Sequence, residues 1–220
     1  MEIDKMKFLK TIDKVVKRIA PGPSPSFTPT HIFMTLEALS SKSPIGRTKL
    51  SNTLKLGEGA TRTLVKRLQR EGIIKSTKSG CVLTNSGKEI ISDLGSRISE
   101  DLEIPPSSYT LGRFNVAVLI RSSASVIGYG VEQRDAALKA GAMGATTLTY
   151  KEGKFMMPGK KDAFKGSPEI LNMLIEKLKP KEGDSIVIGS ADDRKNAEFG
   201  AKAAALETLR RILDDKAKHI

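Results

Sequence analysis

The chain has 220 residues, 39% apolar and 28% charged, with 37 Lys and Arg against 25 Asp and Glu for a net charge of +12. That length suits one large domain or two small ones with packed cores. Its apolar residues are too dispersed for a membrane span or a secretory signal, and the single cysteine, Cys81, excludes a disulfide framework, so a cytoplasmic protein is expected.

Ile3, Met6, Leu9, Ile12, Val15, Val16 and Ile19 recur at helical spacing and predict an amphipathic helix over 1–20. Pro21-Gly22-Pro23-Ser24-Pro25 stops it as a stiff, extended linker. A second helix starts at Thr28 or Thr30, with Thr as its cap, and runs through Ile32, Phe33, Leu36 and Leu39. A turn over 40–44 leads to a short helix over 47–54. Leu56-Gly57-Glu58-Gly59 reads as a tight turn before a helix over 60–71, whose apolar stripe is Leu64, Val65 and Leu68 and whose C-terminal cap is Gly72. Two β-prone runs, 73–77 and 81–84, flank Lys78-Ser79-Gly80 and predict a hairpin. A helix follows over 85–101, with Ile90, Ile91, Leu94 and Ile98 on one face. Ile104-Pro105-Pro106-Ser107-Ser108 reads as a domain boundary.

Beyond it the pattern changes. A strand over 114–120 precedes a helix over 131–140. Strands over 146–150 and 154–157 join at Lys151-Glu152-Gly153. A helix over 168–178 with a Ser167 cap, a strand over 185–188 and a long helix over 192–215 complete the chain. The alternation predicts a small α/β sandwich. The expected architecture is therefore α+β: an N-terminal helix and linker (1–27), a winged helix-turn-helix (28–104), and an α/β effector-binding or dimerisation domain (110–220).

Charge is concentrated where the winged helix is expected. Between Lys42 and Lys88 there are eleven Lys or Arg and two acids, Glu58 and Glu71, a net of +9 out of the chain's +12. A basic block inside a foldable segment points to a polyanion, unless it is only a solvated surface. The second helix of a helix-turn-helix lies in the major groove, and here that is about 59–71. On its outer side Thr61, Arg62 and Lys66 are candidate base or groove contacts, and Thr63, Arg67 and Arg70 candidate phosphate contacts. Arg47 and Lys49 at the preceding helix, with Lys75 and Lys78 on the wing, are further phosphate anchors. The block contains no aromatic residue, which disfavours single-stranded RNA. The partner expected is double-stranded DNA and the role that of a transcriptional regulator. The alternatives are an RNA-binding or nucleic-acid-associated scaffold, or an enzyme with a winged-helix appendage.

Leu56-Gly57-Glu58-Gly59-Ala60-Thr61-Arg62-Thr63-Leu64 resembles the recognition-helix region of winged-helix repressors of the central glycolytic type. Gly80-Cys81-Val82-Leu83-Thr84-Asn85-Ser86-Gly87-Lys88-Glu89 resembles the wing and following helix of the same class. The whole chain is similar to archaeal winged-helix proteins with a C-terminal domain of unknown function, the C-terminal match centring on Glu132-Gln133-Arg134-Asp135. The resemblance implies DNA-binding regulation and names no effector. Residues 110–220 are shorter than the effector domain of the glycolytic repressors, which counts against a sugar-phosphate ligand.

In the C-terminal part, polar residues gather where strands lead into helices: Arg121 and Ser122; Glu132, Arg134 and Asp135; Asp192 and Arg194. If these loops converged, they could hold a small zwitterionic or phosphorylated effector. The competing reading makes them helix caps and salt bridges of a scaffold or dimerisation domain. No catalytic residue, metal site or cofactor is expected: His31 and His219 lack partners at ligand spacing, Cys81 reads as a small buried hydrophobe, and no phosphate-cradling Gly-rich loop is present. A homodimer is expected, with the helices over 1–20 and 85–101 as candidate interfaces.

Overall fold

The computed structural model describes residues 6–17, 24–159, 165 and 167–218; Ile3, Ile19, Pro21, Gly22, Pro23 and His219 lie outside them. The fold is α+β, and the chain divides into two compact units, Met1–Leu94 and Gly95–Ile220.

The first unit is helical apart from one hairpin. Helices α1 (Lys7–Val16), α2 (Pro29–Ser41), α3 (Arg47–Leu54) and α4 (Glu58–Arg70) precede strands β1 (Ile74–Thr77) and β2 (Gly80–Leu83), and α5 (Asn85–Arg97) follows. The α1 stripe does not remain free for a partner. Met6, Phe8, Leu9, Ile12 and Val15 are each no more than 2% exposed, and α1 packs on α2 and α4. Among the described residues the wide apolar stripe of this helix is therefore spent on the unit's own core. At the start of α2 the Thr28 N–H donates to His31 Nδ1 at 3.0 Å, which closes a capping box with histidine at the third helical position. Burial lowers the His31 pKa to about 4, so the ring is neutral and able to accept.

α4 begins two residues before the start expected from sequence. Gly57 is its N-cap, and Glu58 and Gly59 belong to the helix rather than to a turn. The hairpin is tied back to the helices by Ile45, which exchanges backbone hydrogen bonds with Cys81 at 2.8 and 3.0 Å. Gly80 is required there: its φ is +139°, and a Cβ would lie 2.6 Å from the Ile45 carbonyl group.

The second unit is a three-layer sandwich. Strands β3 (Leu102–Ile104), β4 (Phe114–Ile120), β5 (Gly144–Lys151), β6 (Lys154–Met156) and β7 (Ser185–Ala191) form one sheet in the order β3-β4-β7-β5-β6, antiparallel throughout. Helix α7 (Pro168–Leu178) covers one face, packing Ile170, Leu174 and Leu178 on Ala117, Leu119, Leu148, Ile186 and Ile188. Helices α6 (Val131–Lys139) and α8 (Arg194–Lys218) pack on each other and on strands β4, β5 and β7. Gly189 of β7 sets the closeness of α8: a Cβ there would meet the Ala197 carbonyl oxygen at 2.3 Å and the Ala201 nitrogen at 2.5 Å. Ser167 occupies the N-cap of α7, but its side chain makes no cap hydrogen bond.

The boundary expected at 104–108 lies inside this unit. Residues 102–104 pair with 115–117 as β3, and Ile98 bridges Ile120, so the chain joins the sheet as soon as α5 ends.

Candidate nucleic-acid interface

α4 buries residues 61, 64, 65 and 68, which turns one side into the core and leaves the opposite side to solvent. Arg62 and Lys66 stand exposed on that outer side. The hairpin folds beside it, held by a hydrogen bond from Gln69 Nε2 to Ser76 Oγ at 2.8 Å. Between helix and hairpin runs an open groove of about 420 Å³, whose lining includes Gly46, Val65 and Cys81. Arg47, Arg62, Lys66 and Lys78 all line it, and among the described residues no acid does. Four cations on one concave surface create a positive field suited to a polyanion. Glu58 lies in the adjoining cleft with Arg47, Thr48 and Arg62. Gly57 has no side chain to cap the first N–H groups of α4, and the space beside Gly57 and Gly59 is open.

Six further residues expected to touch DNA are placed differently, and two of those expectations are corrected. Thr61 is 1% exposed, and its hydroxyl donates to the Gly57 carbonyl at 3.1 Å, so it cannot read a base. Its spacing to Leu64, Val65 and Leu68 is i, i+3, i+4, i+7, the signature of the inward stripe, and that signal could have identified it. Arg67 is engaged within the unit. Its Nη1 donates to the Val15 and Lys17 carbonyls at 2.8 Å each, and its guanidinium lies 5.5 Å from the Phe27 ring centroid. It satisfies orphan carbonyls at the C-terminal end of α1 instead of reaching a phosphate. Thr63 is exposed but back-bonded to Gly59 at 3.0 Å. Lys49 is exposed on α3, away from the groove lining, and Arg70 is exposed at the last position of α4. Lys75 neighbours Ser76 on β1, so alternation puts it on the hairpin face turned away from α4. Gln69 is the strut between helix and hairpin.

In the second unit the three polar loops do not converge on one site. β7 runs antiparallel to β4, so the ends where they lead into the following segments lie at opposite edges of the sheet, about 20 Å apart. At one edge Arg121 pairs with the buried Asp184 at 2.7 Å, and the Ser122 N–H donates to the same carboxylate at 2.9 Å. At the other edge Asp193 caps α8 by accepting from the Asn196 N–H at 3.0 Å, next to Asp192, and Arg194 binds Glu103 and Glu198. Glu132 pairs with Arg211 at 2.7 Å, and Arg134 with Asp135 at 3.0 Å. Hydrogen bonds and ion pairs thus account for Arg121, Ser122, Glu132, Arg134, Asp135 and Arg194, while Asp192 is exposed beside the capping Asp193. Among the described residues no three His, Cys, Asp or Glu side chains converge to hold a metal ion, and no helix is long and apolar enough to cross a membrane.

Comparison with known proteins divides the chain in the same sense. Residues 32–89 match the model of the PH0730-like N-terminal domain. Residues 111–209 match a domain of unknown function, DUF4443. The chain is similar to the solved structure titled hypothetical protein PH0730 from Pyrococcus horikoshii OT3, at 28% identity and a TM-score of 0.65, over 84% of this chain and 100% of that one. That relative is archaeal, in keeping with an archaeal type of protein carrying a domain of unknown function. No curated protein matches.

Proposed function

We propose that the first unit is a winged helix-turn-helix that binds double-stranded DNA, and that the chain is a transcriptional regulator. The observation that carries this reading is the acid-free groove joining Arg47, Arg62, Lys66 and Lys78 between α4 and the hairpin. α4 is the recognition helix. Arg62 and Lys66 enter the major groove, where they reach base edges and the phosphates that flank them, and Arg47 and Lys78 hold phosphates on either side. Lys49, Arg70 and Lys75 extend the basic surface outside the groove. The Gln69–Ser76 hydrogen bond keeps the hairpin at the distance from α4 that lets both touch one duplex.

Hydroxyl-radical or nuclease footprinting on fragments flanking the protein's own gene tests this reading. Protection by the wild type that disappears in the Arg62→Ala/Lys66→Ala double variant is the expected result. Protection unchanged by that variant would place the DNA contact elsewhere or reduce the basic block to a solvated surface.

A further inference from the structure

α6 shows solvent a stripe that is complementary to itself. Val131 is 42% and Leu138 46% exposed, while the Arg134 and Asp135 side chains are 52% and 46% exposed. These four positions follow i, i+3, i+4, i+7 and so share one face, opposite the fully buried Gln133 and Ala137. Read along the helix the face is apolar, positive, negative, apolar. Reversed about its midpoint, apolar meets apolar and each charge meets its opposite. Two other exposed apolar side chains flank it: Tyr129 (80%) just before α6 and Met143 (45%) just after it.

We propose that this face is the contact between two copies of the chain, packed antiparallel about a two-fold axis through the middle of α6. A two-fold contact is isologous: if residue i touches j, then j touches i. In that arrangement Val131 opposes the partner's Leu138, and Arg134 opposes the partner's Asp135. Tyr129 lies toward the end of α6 where the partner's Met143 stands. The exposed bond between neighbouring Arg134 and Asp135 is weak in a single copy, so both groups are available to exchange it for a partly desolvated pair. A second copy is the occupant that fits. A polyanion would meet Asp135 beside Arg134, and a wholly apolar partner would desolvate both charges without offering either a new partner. The nine-residue helix alone is short for an interface burying about 800 Å² per partner, and Tyr129 and Met143 supply added breadth. This assignment does not depend on DNA binding, although a two-fold dimer would present two copies of α4 to a palindrome.

Sedimentation velocity of the full chain over a concentration series is the test. The wild type is expected to dimerise. Leu138→Glu, Arg134→Glu and Asp135→Arg should each weaken the dimer on the order of tenfold or more. The Arg134→Glu/Asp135→Arg double variant, which restores the same pairs in inverted order, should recover it. The three changed side chains are each about half exposed, so thermal unfolding at a concentration where the wild type is monomeric should match the wild type. Ile91→Glu, on the half-buried face of α5 beside Leu39 and Val82, should leave the dimer intact. A wild type that stays monomeric, a double variant as weak as the singles, or a dimer lost only with Ile91→Glu would each overturn the assignment.

Discussion

Arg67→Ala should destabilise the first unit even though it removes a cation from a basic helix. The change deletes two hydrogen bonds of 2.8 Å to the Val15 and Lys17 carbonyls and a stacking contact at 5.5 Å from the Phe27 centroid. Hydrogen bonds from a charged donor contribute about 1.5–3 kcal/mol each when buried, and a cation–π contact about 0.5–1 kcal/mol. The guanidinium is only part-buried, and solvent screening reduces the sum to about 2 kcal/mol. For a unit of under a hundred residues that is roughly a 10 °C fall in Tm. The chain offers an internal reference. It has no tryptophan, and its three tyrosines, Tyr109, Tyr129 and Tyr150, all belong to the second unit. Tyrosine fluorescence therefore follows the second unit while far-UV circular dichroism follows both. Arg67→Ala should lower the early dichroism transition and leave the tyrosine transition in place. Arg67→Lys should not rescue it, because an ammonium cannot reproduce the planar stack. An unchanged transition together with weakened DNA binding would return Arg67 to the DNA surface and refute this account.

Acidification should weaken the α2 cap. The folded His31 pKa of about 4 lies below the ordinary 6.5, so its contribution to stability is present above pH 6.5 and is lost as the pH falls toward 4. His31→Gln, which can complete the capping box at any pH, should flatten that part of the Tm–pH curve. Gly189→Ala should cost about 3 kcal/mol or yield insoluble protein, because the atoms it would strike at 2.3 and 2.5 Å are α8 backbone; expression and unfolding midpoint report this. Lys202 is 3% exposed between Asp101 and Glu198 at 3.1 and 2.8 Å, and burial, with Glu198 nearby, raises the Asp101 pKa. Lys202→Met would take the buried cation from Asp101 and leave Glu198 to Arg194 alone, and should cost about 3 kcal/mol near neutral pH by chemical denaturation. Adding Asp101→Asn should recover part of that loss.

The elements legible in the sequence were those whose ends carry local chemistry. α3, β4 and α7 occupy the expected residues because turn or cap signals bracket a clear apolar pattern. β3 was missed because three residues before Pro105-Pro106 carry no pattern of their own. What makes Leu102–Ile104 a strand is its partner, β4. The groove was legible in part: Arg47, Arg62, Lys66 and Lys78 could be named from a helical wheel and a hairpin turn, and they meet. Thr61 was misread although the period marked it as inward. Arg67 was misread because its role depends on the end of α1, fifty residues away, which no local pattern encodes. Likewise, the sequence order of strands and helices does not say whether neighbouring strands run parallel. An antiparallel sheet separates loops that a parallel one would have gathered.

The salt dependence of duplex binding reports on the proposed DNA interface itself. Four cations lining the groove correspond to about four phosphate contacts, so the slope of log K against log salt should be roughly −3.5 per bound copy and about −7 for two. Arg62→Ala/Lys66→Ala should reduce the magnitude of the slope by up to about 2 per copy and abolish preference for the protein's own flanking sequence. A slope near zero, or equal slopes and affinities for the wild type and the double variant, would contradict a DNA interface between α4 and the hairpin.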